Sequence, residues 1–241
     1  MNGDDHQDGI RVNRFLSESG VASRRGSDKI ILERRITIDG KVAVLGDKVF
    51  PDSEVCVDGK RVTREKETII LAFNKPVGIT STSDSKDKNN VIDFIGYSKR
   101  IHYVGRLDKD SEGLMLLTND GDLADRIMRS RNEHEKEYVV KVNMDITPDF
   151  IEGMAKGVPI LDGRITKKCS IEMVDMRVFN IILKQGLNRQ IRRMCEHFGY
   201  EVTHLKRIRV MNIELGDLEQ GKYRNLTKLE RDELYSMLNL K

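Results

Sequence analysis

Apolar and polar residues alternate along much of the chain after residue 68, with the two-residue period of half-buried β-strands. The pattern is visible in "IHYVGRL", "EYVVKVN", "CSIEMV", "VFNIILKQ" and "EVTHLKRIRV", and the apolar runs "IILAFN" and "LMLLTN" indicate further, buried strands. The connections between these segments are short. The pattern therefore predicts a mainly antiparallel sheet with helices packed around it.

Four segments in the same region have helical periodicity instead. "GDLADRIMRS" is the first, and "TPDFIEGMAKG" is the second, with Thr147 as its N-cap and Pro148 at its first position. "NRQIRRMCEHFG" and the closing "TKLERDELYSMLNL" complete the set. In the last of these, Thr227 and Glu230 have the spacing of a capping box, which predicts a helix start at Thr227.

The first sixty residues have a different organisation. "RVNRFLSESG" predicts a helix that ends at Gly20, and "SRRGSDKIILERR" predicts a second helix capped by Ser23. "ITIDGKVAV" and "EVCVDGKRV" each read as strand, Asp-Gly turn and strand. Two helices followed by short strands predict a small α+β unit.

Domain boundaries follow from these patterns. We expect the small unit at residues 10–60, a polar linker at 61–68 and a larger domain at 69–241, so that the whole chain is of the α+β class. The acidic start "MNGDDHQDG" predicts a disordered tail over residues 1–9.

Composition excludes several classes of protein but does not identify a binding partner. The chain has 241 residues, of which 38% are hydrophobic and 34% charged, with a net charge of only +3, so overall charge does not by itself indicate nucleic acid. Its three cysteines lie far apart without metal-ligand spacing, which argues against a disulfide framework or a zinc site and for a reducing cytoplasm. No apolar run approaches the ~20 residues of a membrane helix, so we expect no membrane partner.

Positive charge is concentrated in residues 23–35 and 184–209, which carry five and seven basic side chains against two acidic ones each. In the second segment, Arg189, Arg192 and Arg193 crowd the first turn of a predicted helix, where the helix dipole disfavours cations. The apolar face of that helix consists of Ile191, Met194, Cys195 and Phe198. This arrangement favours a site for phosphate or a carboxylate over the alternative, a solvated basic surface.

Candidate chemistry is confined to carboxylates. The chain has no glycine-rich phosphate loop and no HExxH motif, and its five histidines are scattered, as structural or surface histidines are. In "VGRLDKDSEGLMLLTNDG", Asp108, Asp110 and Glu112 lie between two predicted strands. They could be turn and capping residues, or a pair for glycoside-type acid/base chemistry. The nearby cations Arg106 and Lys109 favour ionised carboxylates, which serve as nucleophile or base rather than as acid.

Several blocks taken together resemble one enzyme family. "AFNKPVGITST", "VGRLDKDSEGLMLLTNDG", "EKEYVV" and "LKQGLNRQIRRMCEHFGYEVTHLKRIRV" are similar to the ribosomal pseudouridine synthases of the RsuA/RluB/RluE/RluF branch. Residues 10–60 resemble the S4 RNA-binding domain that precedes the catalytic domain in that branch. The resemblance implies a pseudouridine synthase fold for 69–241 and conversion of uridine to pseudouridine in RNA, without cofactor or metal.

The resemblance also implies roles for single residues. Asp108 matches the catalytic aspartate, Tyr138 the tyrosine that stacks on the target base, and Arg192 the basic residue that pairs with the aspartate. On its own pattern, Tyr138 could equally be a core aromatic of a strand. Asp110 and Glu112 have no catalytic counterpart and are expected to be turn residues. The residues expected to contact RNA are Arg106, Lys109, Arg189, Gln190, Arg193, Arg24, Arg25, Lys29, Arg34 and Arg35.

The implied substrate is ribosomal RNA, of the large subunit or an assembly intermediate, with transfer RNA left open and a monomeric enzyme expected. Two other functions compete with this one. A non-catalytic ribosome-assembly factor would use the S4-like unit alone and would be free to lose Asp108, Tyr138 and Arg192. A carboxylate hydrolase would need a second carboxylate with a raised pKa, and none stands out.

Overall fold

The computed structural model describes residues 9–65, 67–129 and 133–240, so most of the predicted tail at 1–9 lies outside the described residues. The chain forms two compact units that divide between Thr68 and Ile69. Within the described residues, no helix is both long and apolar enough to span a bilayer.

The first unit is a pair of helices against short strands. Its elements are α1 (Val12–Glu18), α2 (Arg24–Leu32), β1 (Ile10–Arg11), β2 (Ile36–Ile38), β3 (Lys41–Val42), β4 (Lys48–Val49), β5 (Val55–Val57) and β6 (Lys60–Val62). Strands β3-β2-β5-β6 form one antiparallel sheet, and β1 pairs with β4. Leu16, Ile31 and Ile36 lie at the centre of the core of this unit.

Local sequence explains where these elements begin and end. Ser23 caps α2 by accepting a hydrogen bond from the Gly26 backbone N–H at 3.0 Å, as its position predicted. The Asp39-Gly40 pair has positive φ at both residues and joins β2 to β3. Such turns match the twist of a hairpin, so the predicted strand–turn–strand pattern is confirmed.

The second unit contains five helices and nine strands among its described residues. Its helices are α3 (Val91–Ile95), α4 (Gly121–Met128), α5 (Pro148–Lys156), α6 (Gln190–His197) and α7 (Lys228–Met237). Its strands are β7 (Ile70–Lys75), β8 (His102–Val104), β9 (Glu112–Thr118), β10 (Lys136–Val142), β11 (Ser170–Asp175), β12 (Val178–Leu183), β13 (Val202–Val210), β14 (Ile213–Glu214) and β15 (Tyr223–Asn225). Thr147 caps α5, and Thr227 and Glu230 form the predicted capping box of α7.

The nine strands form one sheet in the order β11-β12-β10-β13-β9-β7-β15, with β14 beside β13 and β8 beside β9. Every pairing is antiparallel except that of β13 with β9. The α+β class and the mainly antiparallel sheet are therefore confirmed.

The parallel pairing of β13 with β9 joins the two halves of the sheet, and it depends on Gly113. Gly113 has φ +103°, and a Cβ there would lie 2.2 Å from the carbonyl oxygen of Arg207. Only glycine allows the two backbones to approach this closely. The close approach brings the start of β9, and the loop before it, next to the middle of β13.

Candidate active site

The loop that carries Asp108 spans residues 105–111 and connects the antiparallel strands β8 and β9. Ser81 is buried, and its hydroxyl both accepts a hydrogen bond from the Leu107 N–H at 3.1 Å and donates to the Leu107 carbonyl at 2.6 Å. The Gly78 N–H donates to the Lys109 carbonyl at 2.8 Å. Backbone on both sides of Asp108 is therefore held from the segment after β7.

Lys75, at the end of β7, is buried beneath this loop. Its ammonium group donates to the carbonyls of Pro76 and Ile79, both at 2.8 Å, and so fixes the segment that holds the loop. Burial lowers the pKa of Lys75 to about 8, although the carboxylates of Asp108, Asp110 and Glu112 act in the opposite direction.

Lys75→Met should reveal that lowered pKa in the pH dependence of stability. Between pH 8 and about 10.5 the unfolded chain binds a proton at Lys75 that the folded chain does not, so rising pH favours the folded wild type. We expect the wild-type advantage over Lys75→Met to grow by up to about 1.4 kcal/mol per pH unit in that window. Urea unfolding at pH 8.0 and pH 9.5 measures it.

The exposed Lys141→Met variant corrects for the loss of a lysine elsewhere in the same sheet. A wild-type advantage over Lys75→Met that stayed constant across the range would contradict an easily deprotonated Lys75.

Arg192, on α6, fastens the same loop from the other side. Its Nη1 donates to the Val202 carbonyl at 2.9 Å, and its Nη2 donates to the Asp110 carbonyl at 3.0 Å. Nη2 also lies 3.4 Å from the Ser111 hydroxyl and 3.2 Å from Asp110 Oδ2. Arg192 is only 8% exposed, so its guanidinium is a buried group that links α6 to β13 and to the loop through hydrogen bonds.

This geometry corrects two sequence-based expectations. Arg192 forms its ion pair with Asp110, whereas the cation beside Asp108 is Arg189, whose Nη1 lies 3.7 Å from Asp108 Oδ2. Asp110 is therefore more than a turn residue, because it also pairs with Arg189 at 3.4 Å. Arg189 reaches both carboxylates since it precedes α6 in the left-handed conformation, with φ +50°.

Tyr138 faces the same space from β10. It packs against two of the hydrophobic clusters of the sheet and also lines a cavity of about 360 Å³ together with Asp108, Arg189 and Arg192. That volume lies within the range of about 300–1,000 Å³ common for small-molecule sites. The side chain of Asp108 is 35% exposed, so the cavity gives it access to a substrate.

Of the remaining residues predicted to contact RNA in this unit, Arg106 and Gln190 line the same cavity. Arg106 is exposed and lines the cavity, and Lys109 is exposed beside it. Arg193 donates to the Asn188 side-chain oxygen at 2.8 Å. Gln190 is 4% exposed and accepts from the Leu187 N–H at 3.1 Å, so it shapes the loop before α6 from inside.

The basic residues predicted for RNA contact in the first unit lie along α2 and the turn after it. Arg24, Arg25, Lys29 and Arg34 are exposed. Arg35 is engaged in a bidentate pair with Asp58, through Nε at 2.8 Å and Nη2 at 2.6 Å, which raises its pKa further above its usual range.

Sequence reasoning missed several residues of the site. Ser81 gave no usable signal, because it lies in a run of polar residues that reads as a loop. A signal did exist for Lys136 and Arg207, which also line the cavity. Strand alternation puts Lys136 on the inward face with Tyr138, and Arg207 on the inward face with Leu205, where a cation is unexpected.

Residues 69–197 match the family model described as RNA pseudouridylate synthase. The chain belongs to this family and is an enzyme of the pseudouridine synthase class that acts on RNA. Over 231 residues it is 50% identical to the dual-specificity RNA pseudouridine synthase RluF of Escherichia coli (strain K12), covering 95% of this chain and 79% of that protein. The expected branch is confirmed.

Two further similarities cover nearly the whole chain. An uncharacterized RNA pseudouridine synthase of Aquifex aeolicus (strain VF5) is 37% identical over an alignment of 241 positions that covers 96% of each protein. The crystal structure of a pseudouridylate synthase superposes with a TM-score of 0.68 at 27% identity, covering 93% of this chain and 99% of that one. The expected pseudouridine synthase fold is confirmed.

Proposed function

We propose that this enzyme isomerises a specific uridine of ribosomal RNA, in the large subunit or its assembly intermediate, and that Asp108 is the catalytic residue. The observation that carries the proposal is the cavity in which Asp108, Tyr138 and Arg189 meet. One partly exposed carboxylate beside an aromatic ring and a guanidinium suits a single everted pyrimidine nucleotide. We further propose that the enzyme works as a monomer in the cytosol.

In the proposed reaction, the carboxylate of Asp108 either attacks C1′ of the target uridine or removes a proton from C2′ to give a glycal. In both cases the C1′–N1 bond breaks and the uracil turns within the cavity. C5 then forms the new bond to C1′ as the ester bond between Asp108 and C1′ breaks or, from the glycal, as the proton held by Asp108 returns to C2′. The C5 proton is then lost and N1 gains a proton, so nothing is added or oxidised. Arg189, at 3.7 Å, is the cation placed to orient Asp108.

The other side chains supply binding. The target nucleotide must leave its stack, at a cost of a few kcal/mol. Stacking on Tyr138 returns about 1–3 kcal/mol. The exposed cations Arg106 and Lys109 lie at the opening, where backbone phosphates on either side of the everted nucleotide would pass.

Pseudouridine mapping tests this proposal. Ribosomal and transfer RNA from cells with and without the gene are compared, because RluF of Escherichia coli is a dual-specificity RNA pseudouridine synthase. We expect at least one ribosomal uridine to lose its modification in the deletion strain and to regain it when purified enzyme is added to that RNA. Unchanged ribosomal maps in both experiments would contradict a ribosomal substrate.

We propose that the first unit contains the S4-like element that binds RNA backbone, predicted at residues 10–60, and the exposed arginines of α2 support this. In Arg24→Ala/Arg25→Ala, two phosphate contacts would be lost, and the slope of log affinity against log salt should fall by about 1.4–1.8. Turnover at saturating RNA should stay within about twofold. Binding titrations between 50 and 200 mM salt measure the slope.

Arg177→Ala is the control, because Arg177 is an exposed arginine paired with Asp145 and lies in the turn between β11 and β12. A double variant with the same salt slope as Arg177→Ala would remove the reason to assign RNA binding to α2.

A further inference from the structure

The inner wall of the cavity contains two cations that the proposed mechanism does not use. Lys136 and Arg207 are 7% and 3% exposed, and both line the cavity with Asp108. The strand register brings them together: Arg207 on β13 lies opposite Tyr138 on β10, and Lys136 is two residues before Tyr138 on the same face.

Neither cation has an acidic partner among the described residues. The Lys136 ammonium donates to the His134 carbonyl at 3.0 Å, and Arg207 Nε donates to the Leu114 carbonyl at 2.6 Å. Arg207 Nη2 is buried without any hydrogen-bond partner in that part of the chain. Burial, and after it the charge of Arg207, lower the pKa of Lys136. Buried charges are normally paired with an opposite charge, so burying these two cations without one costs stability. A negatively charged ligand in the cavity would supply the missing partner.

A structural role explains only part of this arrangement. The bond from Arg207 Nε to Leu114 ties β13 to β9 beside Gly113, but it needs neither Nη2 nor Lys136. A backbone phosphate is a poor candidate, because RNA phosphates stay at the surface, where Arg106 and Lys109 are exposed, whereas Lys136 and Arg207 are almost fully covered. The negative charge that arises inside the cavity is the one on the detached base.

We infer that Arg207 and Lys136 form a cationic wall that stabilises the uracil anion between its release from C1′ and its reattachment through C5. The inference rests on the proposed isomerisation. When the C1′–N1 bond breaks, its electron pair leaves with the uracil and spreads over N1 and the carbonyl oxygens. The Arg207 guanidinium, which lines the cavity, donates to one of those oxygens, and Lys136 adds its positive charge to the same wall. The charge disappears when C5 bonds to C1′, C5 loses its proton and N1 takes one up.

Fixed donors aimed at developing charge accelerate a reaction more than they strengthen ground-state binding. Arg207→Met should therefore lower the single-turnover rate on uridine RNA by about 30- to 100-fold, with RNA affinity nearly unchanged. Arg207→Lys keeps a cation and should recover part of that loss.

A second substrate tests whether Arg207 stabilises the negative charge of the uracil or only positions the uracil. RNA with 5-fluorouridine at the target releases a base whose anion is intrinsically more stable, so its cleavage should depend less on the cationic wall. We expect Arg207→Met to slow cleavage of the 5-fluorouridine RNA at least about fivefold less than it slows reaction of the uridine RNA. Lys206→Met, next to Arg207 but on the other side of β13, is the matched control and should leave both rates within about twofold.

Thermal unfolding and RNA affinity are measured for every variant, because Arg207 also supports β9. If Arg207→Met does not fold, Lys136→Met gives the same test, since the one hydrogen bond of the Lys136 ammonium to a described residue is to the His134 carbonyl, just before β10. Equal loss on both substrates, or a loss confined to RNA affinity, overturns the inference. A wild-type enzyme that forms no pseudouridine refutes the proposed function itself, whereas an active wild type with a fully active Arg207→Met variant refutes only the cationic wall.

Discussion

Replacing Asp108 with asparagine is expected to reduce the single-turnover rate of pseudouridine formation by about 10³-fold or more, the size of effect seen when a nucleophile is removed. The amide is nearly isosteric and can keep the loop in place, because Ser81 and Gly78 hold the backbone on both sides of residue 108. RNA affinity should stay within about threefold, since Asp108 is not a phosphate contact.

Asp110→Asn is the matched control, because it changes a carboxylate of the same loop that pairs with the same Arg189. We expect a loss of only about tenfold, since Arg192 would keep its bonds to the carbonyls of Val202 and Asp110 and to Ser111. An Asp108→Asn enzyme that still forms pseudouridine, or an Asp110→Asn enzyme that is more impaired, would transfer the catalytic role away from Asp108.

Replacing Arg192 with methionine is expected to lower both stability and activity. It leaves the buried carbonyl of Val202 and the partly buried carbonyl of Asp110 without this donor, at a cost of about 2–4 kcal/mol in the free energy of unfolding. The loop then loses its attachment to α6, and we expect the rate to fall by about 10²- to 10³-fold, because a misplaced catalytic group reacts far more slowly.

Arg189→Met distinguishes the structural role of Arg192, which holds the loop, from the electrostatic role of Arg189, which lies beside Asp108. Arg189 is 42% exposed, so its loss should change the free energy of unfolding by less than about 1 kcal/mol while slowing the reaction by about 10- to 100-fold. Urea unfolding and single-turnover rates of both variants give the comparison. If Arg192→Lys restored full activity, charge alone would suffice and the two-sided hydrogen bonding of the guanidinium would be unnecessary.

Much of the fold follows from local rules that the chain obeys. The alternation of "EYVVKVN" and "EVTHLKRIRV" predicts β10 and β13, and the caps at Ser23, Thr147 and Thr227 predict where their helices start. Such features depend on neighbours one to four residues apart, so a sequence shows them directly. The match of the quoted motif blocks to a known family also comes from the sequence, because motif order and spacing are properties of the chain.

The pairing of charges across the site, in contrast, does not follow from neighbouring residues in the sequence. Arg189 and Arg192 have similar neighbours in sequence, but φ +50° at Arg189 turns one toward Asp108, while the other enters the core and binds Asp110. Which arginine pairs with which carboxylate depends on how closely α6 packs against the sheet and the loop. The periodicity of the sequence does not predict that distance.

The sequence by itself determined most of the helices and strands, though not α3 (Val91–Ile95), together with the α+β class, the family and Asp108 and Tyr138 as candidate site residues. Only the tertiary structure decided that Arg189 and not Arg192 lies beside Asp108, that Ser81 and Lys75 hold the loop, and that two buried cations line the cavity. The physical reason is that short-range preferences are additive along a chain, whereas burial and ion pairing depend on segments far apart in sequence, such as Leu114 and Arg207, which are 93 residues apart. At Gly113, the absence of one Cβ lets those segments meet.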